Sequence, residues 1–164
     1  MTAWPKKLLN DPRLPEVERA CTADMRPLWE GGTFPVARVA TTEGIVAVLK
    51  AARRDRHLAQ GLEQAARLLD NEQRGLEVTR AKMGNEAPPP RLSRLLLLGA
   101  GGSERFYRDA EAVLRRHEGR LMGLRFDETF EPSMRAVYGD NALVRALLVG
   151  DKEPVADLLL AVLV

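Results

Sequence analysis

A glycine-rich turn at residues 99–103 has the clearest capacity for chemistry in this sequence. An apolar run precedes it, and Ser103 can cap a helix that follows. At such a turn the backbone N–H groups and the helix dipole favour a bound phosphate. The candidate anion-binding residues are Gly99, Gly101, Gly102 and Ser103. The alternative is a tight turn without a ligand, which we favour because Glu104 adds a negative charge and stands where the dinucleotide motif has glycine.

A second set of candidate residues is the acidic group Asp127, Glu128 and Glu131. Carboxylates after a strand can bind Mg²⁺ or act in catalysis, but in a loop they are more often solvated. His117 follows two arginines at the end of a helix, which is typical of a surface cap. No nucleophile-and-base set is recognisable by spacing. We therefore predict no catalytic residue, no metal site and no cofactor.

Composition narrows the class of protein further. The chain has 164 residues, 45% of them hydrophobic, and a net charge of +2. Its single cysteine, Cys21, excludes an internal disulfide and a thiolate zinc site. Because a lone cysteine suits a reducing compartment, and no signal peptide or membrane-length apolar stretch is visible, we expect a cytoplasmic protein without a membrane association.

Three apolar runs define the elements that must position these residues. The runs are 95–98, 121–126 and 143–149, and helical segments alternate with them, at 104–117 and from about Pro154. Strands separated by helices are typical of neighbours in a parallel sheet. The pattern predicts an α/β protein with a small, mostly parallel sheet and an additional helical N-terminal region; the three-layer α/β/α sandwich is what the family resemblance described below implies.

The sequence also suggests how the chain is divided. Residues 1–40 hold five prolines and predict a Pro-rich helical arm, which docks on its own chain or on a partner. Residues 41–164 predict the α/β domain. Within that domain we expect a long helical segment at 41–84, capped by Thr42, and a Pro-rich connector at 85–91.

The helical segment 41–84 carries an apolar stripe with near-heptad spacing. Leu62, Leu69 and Leu76 lie on it at intervals of seven residues. Such a stripe either packs on the core of its own chain or forms a coiled-coil seam with a second copy. We predict self-association through this stripe.

Residues 48–69 resemble the opening helices of the kink-turn-binding ribosomal protein superfamily, and the element order from Leu95 onward is similar to that of the same fold. Gly61, Gln64 and Arg67 stand at the glycine, glutamate and lysine positions of its RNA-binding motif, whereas Glu63 replaces the asparagine. The resemblance implies an α/β/α sandwich and RNA binding through Gly61, Gln64 and Arg67. Because Glu63 is negative, we expect any RNA affinity to be weak and mostly electrostatic.

These observations favour a non-catalytic binding protein. The first hypothesis is a protein–protein interaction or regulatory module that forms a homo-oligomer. The alternative is an RNA-binding protein of the resembled superfamily. The second alternative is a phosphate or nucleotide binder at the 99–103 turn.

Overall fold

The computed structural model describes residues 3–86 and 89–163 and contains a six-stranded sheet with helices on both faces. In chain order the strands are β1 (Met25–Pro27), β2 (Pro35–Val39), β3 (Leu58–Gln60), β4 (Arg94–Leu98), β5 (Leu121–Phe126) and β6 (Ala146–Val149). They lie side by side in the order β1-β2-β5-β4-β6-β3.

Eight α-helices surround the sheet within the described ranges. They are α1 (Lys6–Leu9), α2 (Leu14–Thr22), α3 (Glu43–Arg54), α4 (Leu62–Met83), α5 (Glu104–Arg116), α6 (Phe130–Ser133), α7 (Arg135–Tyr138) and α8 (Lys152–Ala161). The apolar runs at 95–98 and 121–126 form β4 and β5, as predicted. Helices α5 and α8 also lie where the sequence places them.

Two apolar cores make the three layers of the predicted sandwich. Leu95 and Leu97 of β4 point to one face, where α3, α8 and the short helices α1, α2, α6 and α7 contribute the other core residues. Leu96 and Leu98 point to the opposite face, which α4 and α5 cover. This alternation follows from the period of two along a strand, because both faces of a central strand are buried. The α/β sandwich is confirmed.

The sheet is mixed rather than mostly parallel. β2 and β4 both pair with β5 in parallel. β6, which the sequence predicts to be a parallel neighbour, pairs with β4 in the antiparallel direction. The outer strands β1 and β3 are also antiparallel to their neighbours. The run that contains β6 also begins later than predicted, since Leu143 is exposed and the strand starts at Ala146.

Two predicted boundaries differ from the observed elements. Residues 3–40 supply two helices and also strands β1 and β2, and Leu8, Val17 and Cys21 lie in the same core as β4. The helical segment 41–84 is interrupted by β3, so that α3 and α4 are separate helices. In the predicted connector at 85–91, residues 87 and 88 lie outside the described residues.

Thr42 and Ser103 cap the first turns of α3 and α5, as the sequence predicts. The Thr42 hydroxyl accepts a hydrogen bond from the Ile45 N–H at 3.1 Å. The Ser103 hydroxyl accepts one from the Phe106 N–H, also at 3.1 Å. Each bond satisfies one of the free N–H groups in a first helical turn, and it fixes where α3 and α5 begin.

Candidate functional site

The glycine turn lies at the carboxyl end of β4, and the Glu131 carboxylate occupies the place where an anion would bind. The Gly101 N–H donates to Glu131 Oε1 at 2.9 Å. The same oxygen lies 3.3 Å from Arg145 Nε. The turn therefore binds a carboxylate of its own chain.

Tyr107 closes the rest of the turn. Its hydroxyl donates to the Gly99 carbonyl oxygen at 2.6 Å and accepts from the Gly102 N–H at 3.1 Å. Tyr107 is 5% exposed, so these bonds are shielded from water. With its hydroxyl engaged in capping α5, Ser103 completes a turn whose polar groups are largely satisfied internally.

Close approach explains the glycines of this turn. A Cβ built on Gly99 would lie 2.7 Å from Glu131 Oε1, and one on Gly102 would lie 2.4 Å from the Phe106 ring. Gly99, Gly101 and Gly102 do not have positive φ angles. Glu104, which the sequence places beside the bound anion, instead pairs with Arg108 at 2.8 Å.

The residues of the RNA-binding resemblance lie at the start of α4. Gly61 has φ of 93° and precedes the first helical residue, a conformation that disfavours a side chain. Gln64 and Arg67 are exposed and, being three residues apart, lie on one side of the helix. Glu63 is exposed beside them. The three candidate residues are thus close together, with Gln64 and Arg67 exposed and Gly61 half-buried.

The starts of α4 and α5 border one groove, which brings the two predicted sites near each other. Leu62, Glu63 and Ala66 line it on one side, and Ser103 and Phe106 on the other. Gln64 and Arg67 do not line this groove. The juxtaposition arises because Gly61 donates its N–H to Ala146 of β6, and β6 is paired with β4.

The acidic group after β5 is divided among separate roles. Asp127 accepts hydrogen bonds from the backbone N–H groups and hydroxyls of Thr41 and Thr129. Burial raises the pKa of Asp127, but these hydrogen bonds outweigh it and hold the pKa below its ordinary value. Glu131 is bound at the glycine turn, and Glu128 is exposed. Asp127 therefore joins the chain after β2 to the chain after β5.

Sequence reasoning missed two arginines that lie beside this region, Arg38 of β2 and Arg125 of β5. They are opposite each other in the parallel pairing of these strands. The signal that could have found them was an arginine inside an otherwise apolar sequence, at residues 36–39 of β2 and in β5 (Leu121–Phe126). Their being neighbours depends on strand pairing, which no local pattern reveals.

The two halves of α4 differ in their environment. Its buried residues are Ala65 and Leu69, both in the first half. Leu69 is 0% exposed in the core of its own chain, so it is not available as part of a seam with a second copy. Residues 73–83, here called the distal half, expose Leu76 at 37%, Val78 at 57% and Met83 at 43%.

The remaining candidates from the sequence have structural roles. Cys21 is buried, and burial raises the pKa of its thiol to about 11, so it is a poor nucleophile. His117 is not a surface cap: its side chain is buried, and its Nε2 lies 3.0 Å from Asp70 Oδ1.

Within residues 3–86 and 89–163, no group of three or more His, Cys, Asp or Glu residues is placed to hold a metal ion. Among the helices of the same ranges, none combines the length and apolarity that crossing a bilayer needs.

Comparisons with known proteins add little to this description. No protein-family model matches the chain, and no curated protein matches it. A solved structure of a protein of unknown function from Bacillus halodurans is similar over 74% of this chain and 98% of its own, with 15% identity and a TM-score of 0.49. A likeness at this level carries no argument about function. The resemblance to the kink-turn-binding superfamily stays a prediction.

Proposed function

We propose that this chain is a non-catalytic binding protein that associates with a second copy of itself through the distal half of α4. The observation that carries the proposal is that α4 continues after its last buried residue, Leu69, to Met83. At 1.5 Å per residue, residues 73–83 extend the helix by roughly 16 Å.

The composition of the distal half supports a packed partner. Gly75, Val78 and Thr79 are weak helix formers, so intrinsic propensity contributes little to the stability of this segment. Tertiary contacts stabilise most protein helices, but among the described residues the buried part of α4 ends near Glu72, whose carboxylate bonds Arg94 at the start of β4. A packing partner for the distal half would bury its exposed apolar side chains.

The positions of the exposed apolar side chains favour a copy of the same segment as that partner. Leu76 and Met83 are seven residues apart and lie on one face of the helix. In an antiparallel pair related by a two-fold axis, Leu76 of each copy lies opposite Met83 of the other, so one contact is made twice. Val78 is two residues from Leu76 and lies on the other side of the helix.

Sedimentation velocity over a range of concentrations tests this proposal with matched variants. We expect a dimer for the unchanged chain. Leu76→Asp and Met83→Asp should each weaken association by at least about tenfold, because each buries a charge in place of an apolar side chain. Val78→Asp is the control and should leave association unchanged, although Val78 is the most exposed of the three. A monomer at every accessible concentration, or equal effects of all three variants, would overturn the proposal.

RNA binding through Gly61, Gln64 and Arg67 is the alternative, favoured by the exposure of Gln64 and Arg67 on one side of α4. Fluorescence anisotropy with a kink-turn RNA and a duplex RNA tests it. If Arg67 contacts the RNA, Arg67→Gln should lower the affinity several-fold, whereas Arg19→Gln on the exposed part of α2 should not. Equal affinity for both RNAs would indicate an electrostatic contact without recognition of the kink turn.

A further inference from the structure

The arginines Arg38 and Arg125 lie side by side on one face of the sheet. β2 and β5 are parallel, and Arg38 is opposite Arg125 in their register. Val36 of β2 and Leu98, which is opposite Arg125 in β4, both belong to the core under α4 and α5. Since alternate residues of a strand share a face, both arginines point toward that side of the sheet.

Each guanidinium is held in place without a carboxylate. Arg125 stacks over the Tyr107 ring, with its guanidinium carbon 4.8 Å from the ring centroid. Arg38 Nη2 donates to the Pro27 carbonyl oxygen at 2.7 Å, and its buried Nε has no hydrogen-bond partner. In the described part of the chain, neither arginine forms an ion pair.

The nearby carboxylates do not neutralise this pair directly. Asp24 is bonded to Arg26, at 2.8 Å, and Asp127 is bonded to two threonines. Burial, together with the positive charges of Arg125 and Arg26, lowers the pKa of Arg38. The two like charges repel each other, and a bound anion would relieve that repulsion.

The crevice in front of the two arginines has room for a small ligand. It has a volume of about 380 Å³ and is lined by Arg26, Arg38, Ala100, Arg125, Asp127 and Glu128, among others. It lies at the carboxyl ends of β2 and β5 and reaches the first residues of the glycine turn. After β4 the chain passes to the face of the sheet that α5 covers, whereas after β5 it passes to the opposite face, where α6 lies. In open α/β sheets, ligands bind where neighbouring strands diverge in this way.

We propose that this crevice binds the phosphate group of a small molecule, with Arg38 and Arg125 donating hydrogen bonds to its oxygens. A phosphate dianion matches two guanidiniums in charge, and its oxygens accept charge-assisted hydrogen bonds from both. The N–H groups of the glycine turn are not needed for this mode, because they are bonded to Glu131 and Tyr107. The site is independent of the dimer contact at the distal half of α4.

Isothermal titration calorimetry of the full chain with inorganic phosphate and with adenosine monophosphate tests the proposal. We expect at least one of them to bind. Equal affinity for both identifies the phosphate group alone as the ligand, and tighter binding of the nucleotide identifies a phosphate ester. Absence of binding of either ligand up to about 10 mM would overturn the proposal, since two charged donors should give a millimolar site or better.

Variants then locate the site. Arg38→Gln and Arg125→Gln should each lower the affinity about tenfold or more, which is the effect of removing a charge-assisted hydrogen bond. Arg38→Lys keeps the charge but loses the fork of donors and should fall between these and the unchanged chain. Arg19→Gln is the control. Because melting curves show whether each variant is folded, unchanged affinity in a folded Arg38→Gln and a folded Arg125→Gln would refute the site even if phosphate binds elsewhere.

Discussion

Two arginine pairs lie on the same face of this sheet, and they differ in what neutralises them. At the amino end of β4 and β5, Arg94 and Arg120 share the carboxylate of Glu72, at 3.1 and 2.8 Å. At the carboxyl ends of β2 and β5, Arg38 and Arg125 form no ion pair with any carboxylate of the described residues. The first pair joins α4 to the sheet. The second has the same charges and an open crevice in front of it.

The comparison teaches what distinguishes an arginine pair that supports the fold from one that can bind a ligand. Burial raises the pKa of Glu72, but hydrogen bonds from Arg94 and Arg120 outweigh it and hold the pKa below its ordinary value. That carboxylate is therefore ionised, and it offsets one of the two positive charges while accepting hydrogen bonds from both arginines. Within the described residues no carboxylate pairs with Arg38 or Arg125 as Glu72 does with Arg94 and Arg120. An anion from solution can therefore bind to Arg38 and Arg125.

The largest effect should come from removing the Glu72 carboxylate, so that Arg94 and Arg120, like Arg38 and Arg125, form no ion pair with it. Glu72→Gln removes the shared carboxylate and leaves two guanidiniums that are 19% and 11% exposed without a counter-charge. We expect a loss of about 2–3 kcal/mol in the free energy of unfolding, less than for a fully buried pair because Glu72 is itself partly exposed. Denaturation with urea measures it. Glu63→Gln, on the exposed side of the same helix, is the control and should change stability by less than about 0.5 kcal/mol. Equal losses would show that the Glu72 network does not join α4 to the sheet.

Sequence patterns were sufficient for the parts of the fold where a local signal and the final environment agree. β4 and β5 are long apolar runs buried on both faces, and α5 has a side-chain cap at Ser103. β1 and β3 have three residues each and lie at the edges of the sheet, and all three residues of β1 are exposed. Strands this short show no periodicity that a sequence pattern could detect. The direction of β6 depends on how the chain between β5 and β6 crosses the sheet.

The arginine pair shows the same limit for a site. Within the sequences of β2 and β5 an arginine among apolar residues was recognisable, but Arg38 and Arg125 are far apart along the chain. Their proximity follows from the pairing of β2, a strand that sequence reasoning placed in a helical arm. The glycine turn was recognisable in the sequence. The hydrogen bond from the Gly101 N–H to Glu131, in contrast, is a tertiary contact with a residue that follows β5.

The second effect concerns the contact of Glu131 with the glycine turn. This contact occupies the turn, whereas the crevice at Arg38 and Arg125 is open. In Gly101→Ala, the new Cβ would lie 2.8 Å from Glu131 Oε1, so the carboxylate must move. We expect a loss of about 1–2 kcal/mol in the free energy of unfolding from the hydrogen bond to Gly101 and the contact with Arg145. Thermal and urea denaturation measure it.

A double variant checks whether Glu131 is the cause. Gly101→Ala combined with Glu131→Ala should cost clearly less than the sum of the two single changes, because each single change removes the same interaction. Additive losses would mean that the alanine strains the turn independently of Glu131.

The third effect is a pH dependence at the amino end, next to the Glu72 network. Burial lowers the pKa of His117, although Asp70 acts in the opposite direction. The unfolded chain therefore takes up a proton near pH 6.5 that the folded chain does not bind at that pH. The stability that this histidine contributes is present above about pH 6.5 and is lost as the pH falls through the lower pKa of the folded state. Urea denaturation between about pH 7.5 and 5.5 should show this decline, and His117→Gln should flatten it. An unchanged slope in that variant would assign the decline to other groups.

The smallest effect is the one that most sharpens the comparison. Arg125→Gln removes a cation–π contact with Tyr107 but also relieves the repulsion from Arg38, so the two terms nearly cancel. We expect the free energy of unfolding to change by less than about 0.5 kcal/mol. Arg120→Gln, which breaks a bond to Glu72, should cost about 1.5–3 kcal/mol. Urea denaturation of both variants in a buffer without phosphate measures the contrast. If Arg125→Gln costs as much as Arg120→Gln, Arg125 supports the fold and is not held ready for a ligand. If Arg125→Gln instead leaves stability unchanged and removes the stabilisation that added phosphate gives the unchanged chain, the two pairs differ in the way that the geometry indicates.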